Sequence, residues 1–237
     1  MDGTPTPSIR SLDRHAPPGS RRRRTSPIAI QLTRRLLITA ATIGASMSIG
    51  DHFARAQASV VRFDFSKPLD GWTTVSGKWA LEDVAGASQG GRALVQRATD
   101  NEFNVIVAPG GPYANVDVSV RFKPMSGRED ASAGIVFRFS DDRYYVIRAN
   151  ALENNFNFYY YDRGRREIAG ASVKAPALGQ WHKLRIAAAG DRIQGWLNDQ
   201  ALIDRRDSRF ASGRIGLWTK ADSVTAFDDL RVTVLSG

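Results

Sequence analysis

Cysteine is absent from all 237 residues, so neither a disulfide nor a thiolate-held metal or nucleophile enters any reading of this chain. Histidine is scarce: of three, only His182 follows residue 58, and a His-built transition-metal site then lacks a second ligand of its kind. The apolar run Leu36–Ile49 has 14 residues, against the roughly 20 that a membrane-spanning helix needs. There is no GxGxxG, no Walker-type Gly-Lys-Ser/Thr loop, no internal repeat and no strand–helix alternation. These absences turn attention from nucleotide, redox and zinc chemistry to the aromatic and polar side chains of short strands.

The first 58 residues read differently from the rest. Arg10, Arg14, Arg21, Arg22, Arg23, Arg24, Arg34 and Arg35 lie among Pro, Ser and Thr. The run Leu36–Ile49 follows, and then the small-x-small triplet Ala56-Gln57-Ala58. Basic region, short apolar region and cleavage site in that order read as an export signal, with cleavage after Ala58. Thr33-Arg34-Arg35-Leu36-Leu37-Ile38 also resembles the twin-arginine export motif. An uncleaved anchor or a basic tail is the other reading. The expectation is a leader over 1–58, one domain over 59–237, a periplasmic or secreted location, and no stable membrane insertion once the signal is removed.

The charge follows the same division. The chain carries 33 Lys+Arg and 24 Asp+Glu, a net +9. Residues 1–58 hold nine Arg and three Asp, which leaves 24 cations against 21 carboxylates, +3, for the remainder. Nucleic-acid binding needs a concentrated basic face on the folded part, and no such cluster follows residue 58. No nucleic-acid partner is expected.

After residue 58 the pattern is that of short strands. Val116, Val118, Val120 and Phe122 alternate with Asp117, Ser119, Arg121 and Lys123, the signature of a half-solvated antiparallel strand. Some dozen such segments at 8–12-residue spacing, separated by turns such as Leu69-Asp70-Gly71 and Ser140-Asp141-Asp142-Arg143, predict an all-β, two-sheet antiparallel sandwich. Ser208–Ser212 is the one weak helical candidate, a single turn. The segment Arg143–Tyr159 stands out: an apolar aromatic strand, then Arg148, Asn150, Glu153, Asn154 and Asn155, then alternating aromatics. Such a junction is either a sugar-facing surface or a hydrogen-bonded corner.

Several motifs together carry a resemblance. Phe63-Asp64-Phe65 leading to Leu69-Asp70-Gly71-Trp72 comes first. Ala133–Arg138, Gly179–Leu184, Trp196-Leu197-Asn198-Asp199, Gly213–Trp218 and Phe227–Val232 follow in order. Over residues 60–236 this resembles the 3-keto-disaccharide hydrolase-type domain, a concanavalin-A-like jelly roll related to family-16 glycoside hydrolases and laminin-G-like modules. The resemblance implies a jelly-roll sandwich and, for some members, action on 3-keto-glycosides. There a ketone at C3 acidifies the C2 proton, a base removes it and the C1 substituent leaves. It also implies that other members only bind sugar. The chain departs from the family-16 glucanases in lacking a Glu-x-Asp-x-x-Glu strand, so the carboxylate pair of ordinary retaining hydrolysis is missing.

The candidate residues each have a plainer reading beside the functional one. Arg138 and Arg148 lie in successive strands, and register parity decides their faces. A connecting loop of odd length puts both with Val136, Tyr144 and Asn150 on one face and leaves Ile135, Phe137, Phe139, Tyr145 and Ile147 to the core. An even loop puts Arg148 beside Phe137. The odd loop is expected, giving two cations facing a sugar or enolate; the plain reading is an Arg–carboxylate pair on a solvated sheet. Glu153 is the candidate base, with Asn150 and Asn155 on hydroxyls, unless the Asn side chains cap a strand corner. Trp218 is expected to stack on a sugar and Lys220 to supply a cation, against core packing for the Trp. Asp222 is either a carboxylate at the cleft rim or a turn residue. His182 is read as structural before catalytic. Asp64, Asp228 and Asp229 fall in the first and last strands, so a structural calcium stands as one reading and edge polarity as the other. No other cofactor or metal is expected.

The expected catalytic set is therefore Glu153, Arg148, Arg138 and Lys220, and the expected substrate-binding set is Asn150, Asn155, Tyr144, Trp218 and Asp222. The ligand class is carbohydrate. The leading expectation is a 3-keto-glycoside lyase or hydrolase, with a non-catalytic carbohydrate-binding module as the alternative and a structural envelope sandwich third.

Overall fold

A computed structural model describes residues 59–236, Gln89 excepted. The expected leader and its cleavage position lie outside the described residues. Two antiparallel sheets are formed, as the spacing of the apolar positions predicts. The first runs β13 (Gln200–Arg206), β12 (Arg192–Leu197), β11 (His182–Ala189), β6 (Val116–Ser126), β15 (Val224–Val234), β4 (Arg92–Gln96) and β3 (Trp79–Asp83), and β1 (Val60–Phe63) also pairs with β15. The second runs β10 (Arg165–Ser172), β9 (Asn155–Tyr161), β8 (Arg143–Asn150), β7 (Ser132–Ser140), β14 (Arg214–Lys220), β5 (Phe103–Val107) and β2 (Thr73–Ser76). Among the described residues there is no helix.

The core is the layer between the inner faces. On β6 burial alternates as its sequence does: Val116, Val118, Val120 and Phe122 are buried and Asp117, Ser119 and Arg121 are not. Leu184 and Ile186 of β11 and Phe227, Leu230 and Val232 of β15 extend that face. Ile106, Ile135, Phe137, Tyr145, Ile147, Phe156, Phe158 and Leu217 close it from the second sheet. Burying an aliphatic or aromatic side chain of this kind stabilises by about 1.5–3 kcal/mol, so this layer holds the sandwich shut.

The structure departs from the sequence reading at three places. The stretch after Gly164 is a full strand, β10, where only a hairpin tip is legible; a bulge between Glu167 and Ala169 and the small Gly170 break its alternation. Ser208–Ser212 is not a helical turn but irregular chain. It is pinned there by the Phe210 amide, which donates to the Tyr145 hydroxyl at 3.1 Å, and by the Phe210 carbonyl, which accepts from Arg138.

The register of the β7–β8 hairpin is the third correction. Ser140 pairs with Arg143, so the turn is the two residues Asp141 and Asp142, an even loop. One extra residue on β7 compensates: Arg138 and Phe139 together oppose Tyr144. Arg138 takes φ 53°, the left-handed region, where an L-residue is found only when its surroundings hold it. The bulge keeps Val136, Tyr144 and Arg148 on one face, as expected, but reverses Arg138 and Phe139. Phe139 packs on the outer face against Tyr144, at 5.7 Å between ring centroids. Arg138 turns to the end of the sandwich and donates to the carbonyls of Phe210 (2.8 Å), Ala114 (3.0 Å) and Gly190 (2.6 Å).

Arg138 is thus a buried tie between three loops and not part of the outer face. Arg138→Met keeps the volume and leaves those carbonyls short of a donor. The expected result is a loss of about 3 kcal/mol of stability, read as a lower urea midpoint at an unchanged m-value.

Candidate functional site

The outer face of the second sheet carries the groups that remain. Val105, Trp218, Gly134, Arg148 and Asn157 stand opposite one another across five adjacent strands. Gly134 makes that row possible. A Cβ there would meet Val146 Cγ2 at 2.8 Å, an indole carbon of Trp218 at 3.2 Å and the Cβ of Arg148 at 3.3 Å. The bare backbone lets the indole lie across β7.

One half of this face is aromatic. Trp218 is fully buried, and Phe103 stacks on it at 5.8 Å. Phe103 meets Tyr161 edge-on at 5.1 Å, and Tyr161 stacks on Tyr144 at 4.4 Å. Burial raises the pKa of both tyrosines far above that of a free phenol, so both are neutral. Beside this layer lies a groove of about 950 Å³ walled by Val75, Phe103, Val105, Tyr144 and Tyr161. The Tyr161 hydroxyl is buried and has no hydrogen-bond partner among the described residues.

The other half is polar and centres on Arg148, which is 4% exposed. Its guanidinium donates to Asn155 Oδ1 at 2.5 Å, to Glu153 Oε2 at 2.9 Å and to the Tyr159 hydroxyl at 3.3 Å. Asn155 Nδ2 donates to the same Glu153 oxygen at 3.0 Å. Asn157 Nδ2 donates to the Tyr159 hydroxyl at 2.6 Å and to Glu167 at 3.2 Å. Arg165 lies over the ring of Tyr159 at 4.9 Å, close enough for a cation–π contact. Arg148 is therefore a buried clamp that presents Glu153, 41% exposed, and the partly exposed Asn155 at the rim. Burial pushes the Glu153 pKa up, but the hydrogen bonds from Asn155 and Arg148 and the Arg148 charge outweigh it and hold the carboxyl below its ordinary value.

The remaining expected residues divide. Lys220 shares the outer face with Trp218, but its ammonium is tied to the buried Asp130 at 2.8 Å. Asn150 Oδ1 accepts from the amides of Ala131 (3.1 Å) and Leu152 (3.0 Å), a corner role. Asp222 accepts from the amides of Arg128, Glu129 and Asp130 and caps that loop; those amides hold its pKa down against the opposing effect of burial. Trp218, sealed beneath Phe103, offers no free ring face for stacking. His182 lies on the other sheet, bonded to the Ala177 carbonyl and Asn198.

The carboxylates considered for calcium have separate partners. Asp64 accepts from Ser66, Asp228 from Ser88 and Arg121, and Asp229 from Arg62 and Arg231. Among the described residues no group of three His, Cys, Asp or Glu converges to hold a metal.

The sequence reading did not select Asn157, Tyr159, Glu167, Phe103 or Tyr161. A period-two reading of β9 groups Asn155, Asn157, Tyr159 and Tyr161 on one face, so that part was available. Phe103 was not, because it reaches this site from a strand more than 40 residues away in sequence.

A two-sheet sandwich with a polar and aromatic outer face is the architecture of concanavalin-A-like domains. The chain belongs to the 3-keto-alpha-glucoside-1,2-lyase-like domain family, whose match covers residues 59–233. Levanase from Bacillus subtilis (strain 168) is 27% identical over 158 residues, 65% of this chain and 21% of levanase, so the match spans about a fifth of that relative. Among solved structures, the carbohydrate binding module CBM66 from Bacillus subtilis superposes with a TM-score of 0.58 at 22% identity, over 68% of this chain and 94% of the module. The beta-glucanase of Bacillus licheniformis does so with a TM-score of 0.50 at 13% identity, over 75% and 98%. At these identities the two structures establish the fold alone.

A depressed carboxyl pKa means that the Arg148–Glu153–Asn155 arrangement is complete above the unperturbed value of 4.5 and is lost only as pH falls through the lower folded value. Exposure of Glu153 keeps the effect on global stability small. The expected observation, by NMR titration of the Glu153 carboxyl, is a midpoint below 4.5 that moves up toward 4.5 in Asn155→Ala.

Proposed function

We propose that this is an exported carbohydrate-active domain, that the outer face of its second sheet binds a sugar, and that binding without turnover is its principal activity. The observation that carries this is the half-exposed Glu153–Asn155 pair held from beneath by the buried Arg148. A fixed carboxylate accepts, and a fixed amide both donates and accepts, which suits neighbouring sugar hydroxyls. Ordering these groups before the ligand arrives lowers the entropy cost of binding. The likeness to a carbohydrate binding module and to part of levanase supports the ligand class. The leader-like residues 1–58 support export, with Ser59 the expected N-terminus of the exported protein.

Family membership favours a second reading, elimination from 3-keto-glycosides. In it Glu153 removes the proton beside the ketone while Arg148 and Lys220 stabilise the enolate. A general base works best with a pKa near the working pH. The Glu153 carboxyl is shifted the other way, and Lys220 is neutralised by Asp130, so the geometry supports binding better.

One experiment separates the two. Full-length protein incubated with a 3-keto-disaccharide is expected to bind saturably and to release no free sugar above background. Release that disappears in Glu153→Gln would replace the binding reading by the lyase reading. Asn155→Ala is expected to weaken sugar binding roughly tenfold, about 1.4 kcal/mol, by calorimetry.

A further inference from the structure

We propose that Arg165 is a further sugar-binding residue of the outer face, and that its guanidinium reads neighbouring hydroxyls of a neutral glycan chain beyond the unit held at Glu153 and Asn155. The inference rests on the reading that this face binds carbohydrate, and it makes the ligand a chain rather than a single sugar.

The β9–β10 hairpin places the residue. Arg165 pairs with Tyr161, so it shares the outer face with Tyr161 and Tyr159. β10 ends its sheet, so no further strand of that sheet packs beside it. The guanidinium leans back over the sheet, 4.9 Å from the centre of the Tyr159 ring and 5.7 Å from that of Phe103. Arg148 lies over the same Tyr159 ring at 5.8 Å, so Arg165 stands one aromatic ring away from the clamp that holds Glu153 and Asn155. Phe103 belongs to the groove wall. A chain that runs from Glu153 and Asn155 to the groove therefore passes Arg165.

Arg165 is available for a ligand. Among the described residues, five arginines lie over aromatic rings. Arg121, Arg148, Arg185 and Arg209 each also hold a carboxylate. Arg165 holds none among the described residues: Glu167, two residues on, accepts from Asn157 at 3.2 Å, and Asp162 is engaged by Arg163 at 3.7 Å. The residue is partly exposed. A guanidinium that stacks on aromatic rings still offers a planar, fixed fork of N–H donors, which suits two adjacent hydroxyl oxygens. The two rings hold that fork before a ligand arrives, which lowers the entropy cost of binding. The four carboxylates that line the groove are matched by four arginines, Arg143, Arg163, Arg165 and Arg166. With no net charge to select an anionic chain, the class that fits is a neutral glycan.

The test titrates full-length protein with a neutral tetrasaccharide and with its constituent monosaccharide. Wild type is expected to bind the tetrasaccharide about tenfold more tightly. Arg165→Ala is expected to remove that advantage and to leave monosaccharide affinity and the urea midpoint unchanged. Arg165→Lys restores the charge without the fork, and it is expected to regain at most about threefold of the advantage. Four results would overturn the inference: no tetrasaccharide advantage in wild type, an advantage unchanged in Arg165→Ala, an equal loss for both saccharides, or full recovery in Arg165→Lys. A uronate-bearing tetrasaccharide that binds wild type more tightly than the neutral one would overturn it too. The carbohydrate reading survives each of these results if Asn155→Ala still weakens binding of both saccharides. Failure of both saccharides to saturate the protein removes both readings.

Discussion

The left-handed residue at Arg138 sets the register on which the second sheet depends. A two-residue turn alone would exchange the faces of β7 relative to β8, because side chains alternate with period two. One inserted residue restores the match between Val136 and Val146 and between Gly134 and Arg148. The strain of that position is offset by the three carbonyls that Arg138 ties together. From this register follow the row through Trp218, Gly134 and Arg148 and the exposure of Glu153 at its end.

The two outer faces handle charge in different ways. On the first sheet, cations and carboxylates neutralise one another locally: Arg121 with Asp228, Arg185 with Asp117, Arg192 with Asp204, and Arg62 and Arg231 with Asp229. Apart from the pair at the buried Asp228, these exposed pairs add little stability, but together they cancel any extended field. The small net charge left after residue 58 is thereby dispersed. On the second sheet the polar groups are organised around one buried guanidinium, that of Arg148. That asymmetry distinguishes the two outer faces.

Much of the fold was legible because its signals are local. The alternation Val116–Lys123, the Asp-Gly and Asp-Asp turns and the apolar cores of β7, β8 and β14 each specify a strand within a few residues. The site was legible in part. Arg148, Glu153 and Asn155 lie within eight residues, and their proximity follows from a strand, a corner and the next strand. Arg138 and Trp218 were misplaced for a different reason. A bulge leaves no mark on periodicity, and whether a Trp on an outer face is open depends on what lies above it. Here that is Phe103, which no spacing connects to Trp218. The groove was invisible for the same reason, since it is assembled from β2, β5 and two hairpin turns.

By itself, then, the sequence determined an all-β sandwich, which faces its clearest strands bury, and the chemical character of the Arg148–Asn155 junction. It could do so because hydrophobic periodicity and turn chemistry act over a few residues. The tertiary structure alone decided that Arg138 binds loops, that Trp218 is sealed, and that acidic turns meet an aromatic wall. Those outcomes depend on register and on packing between distant strands, which the pattern of one strand does not encode.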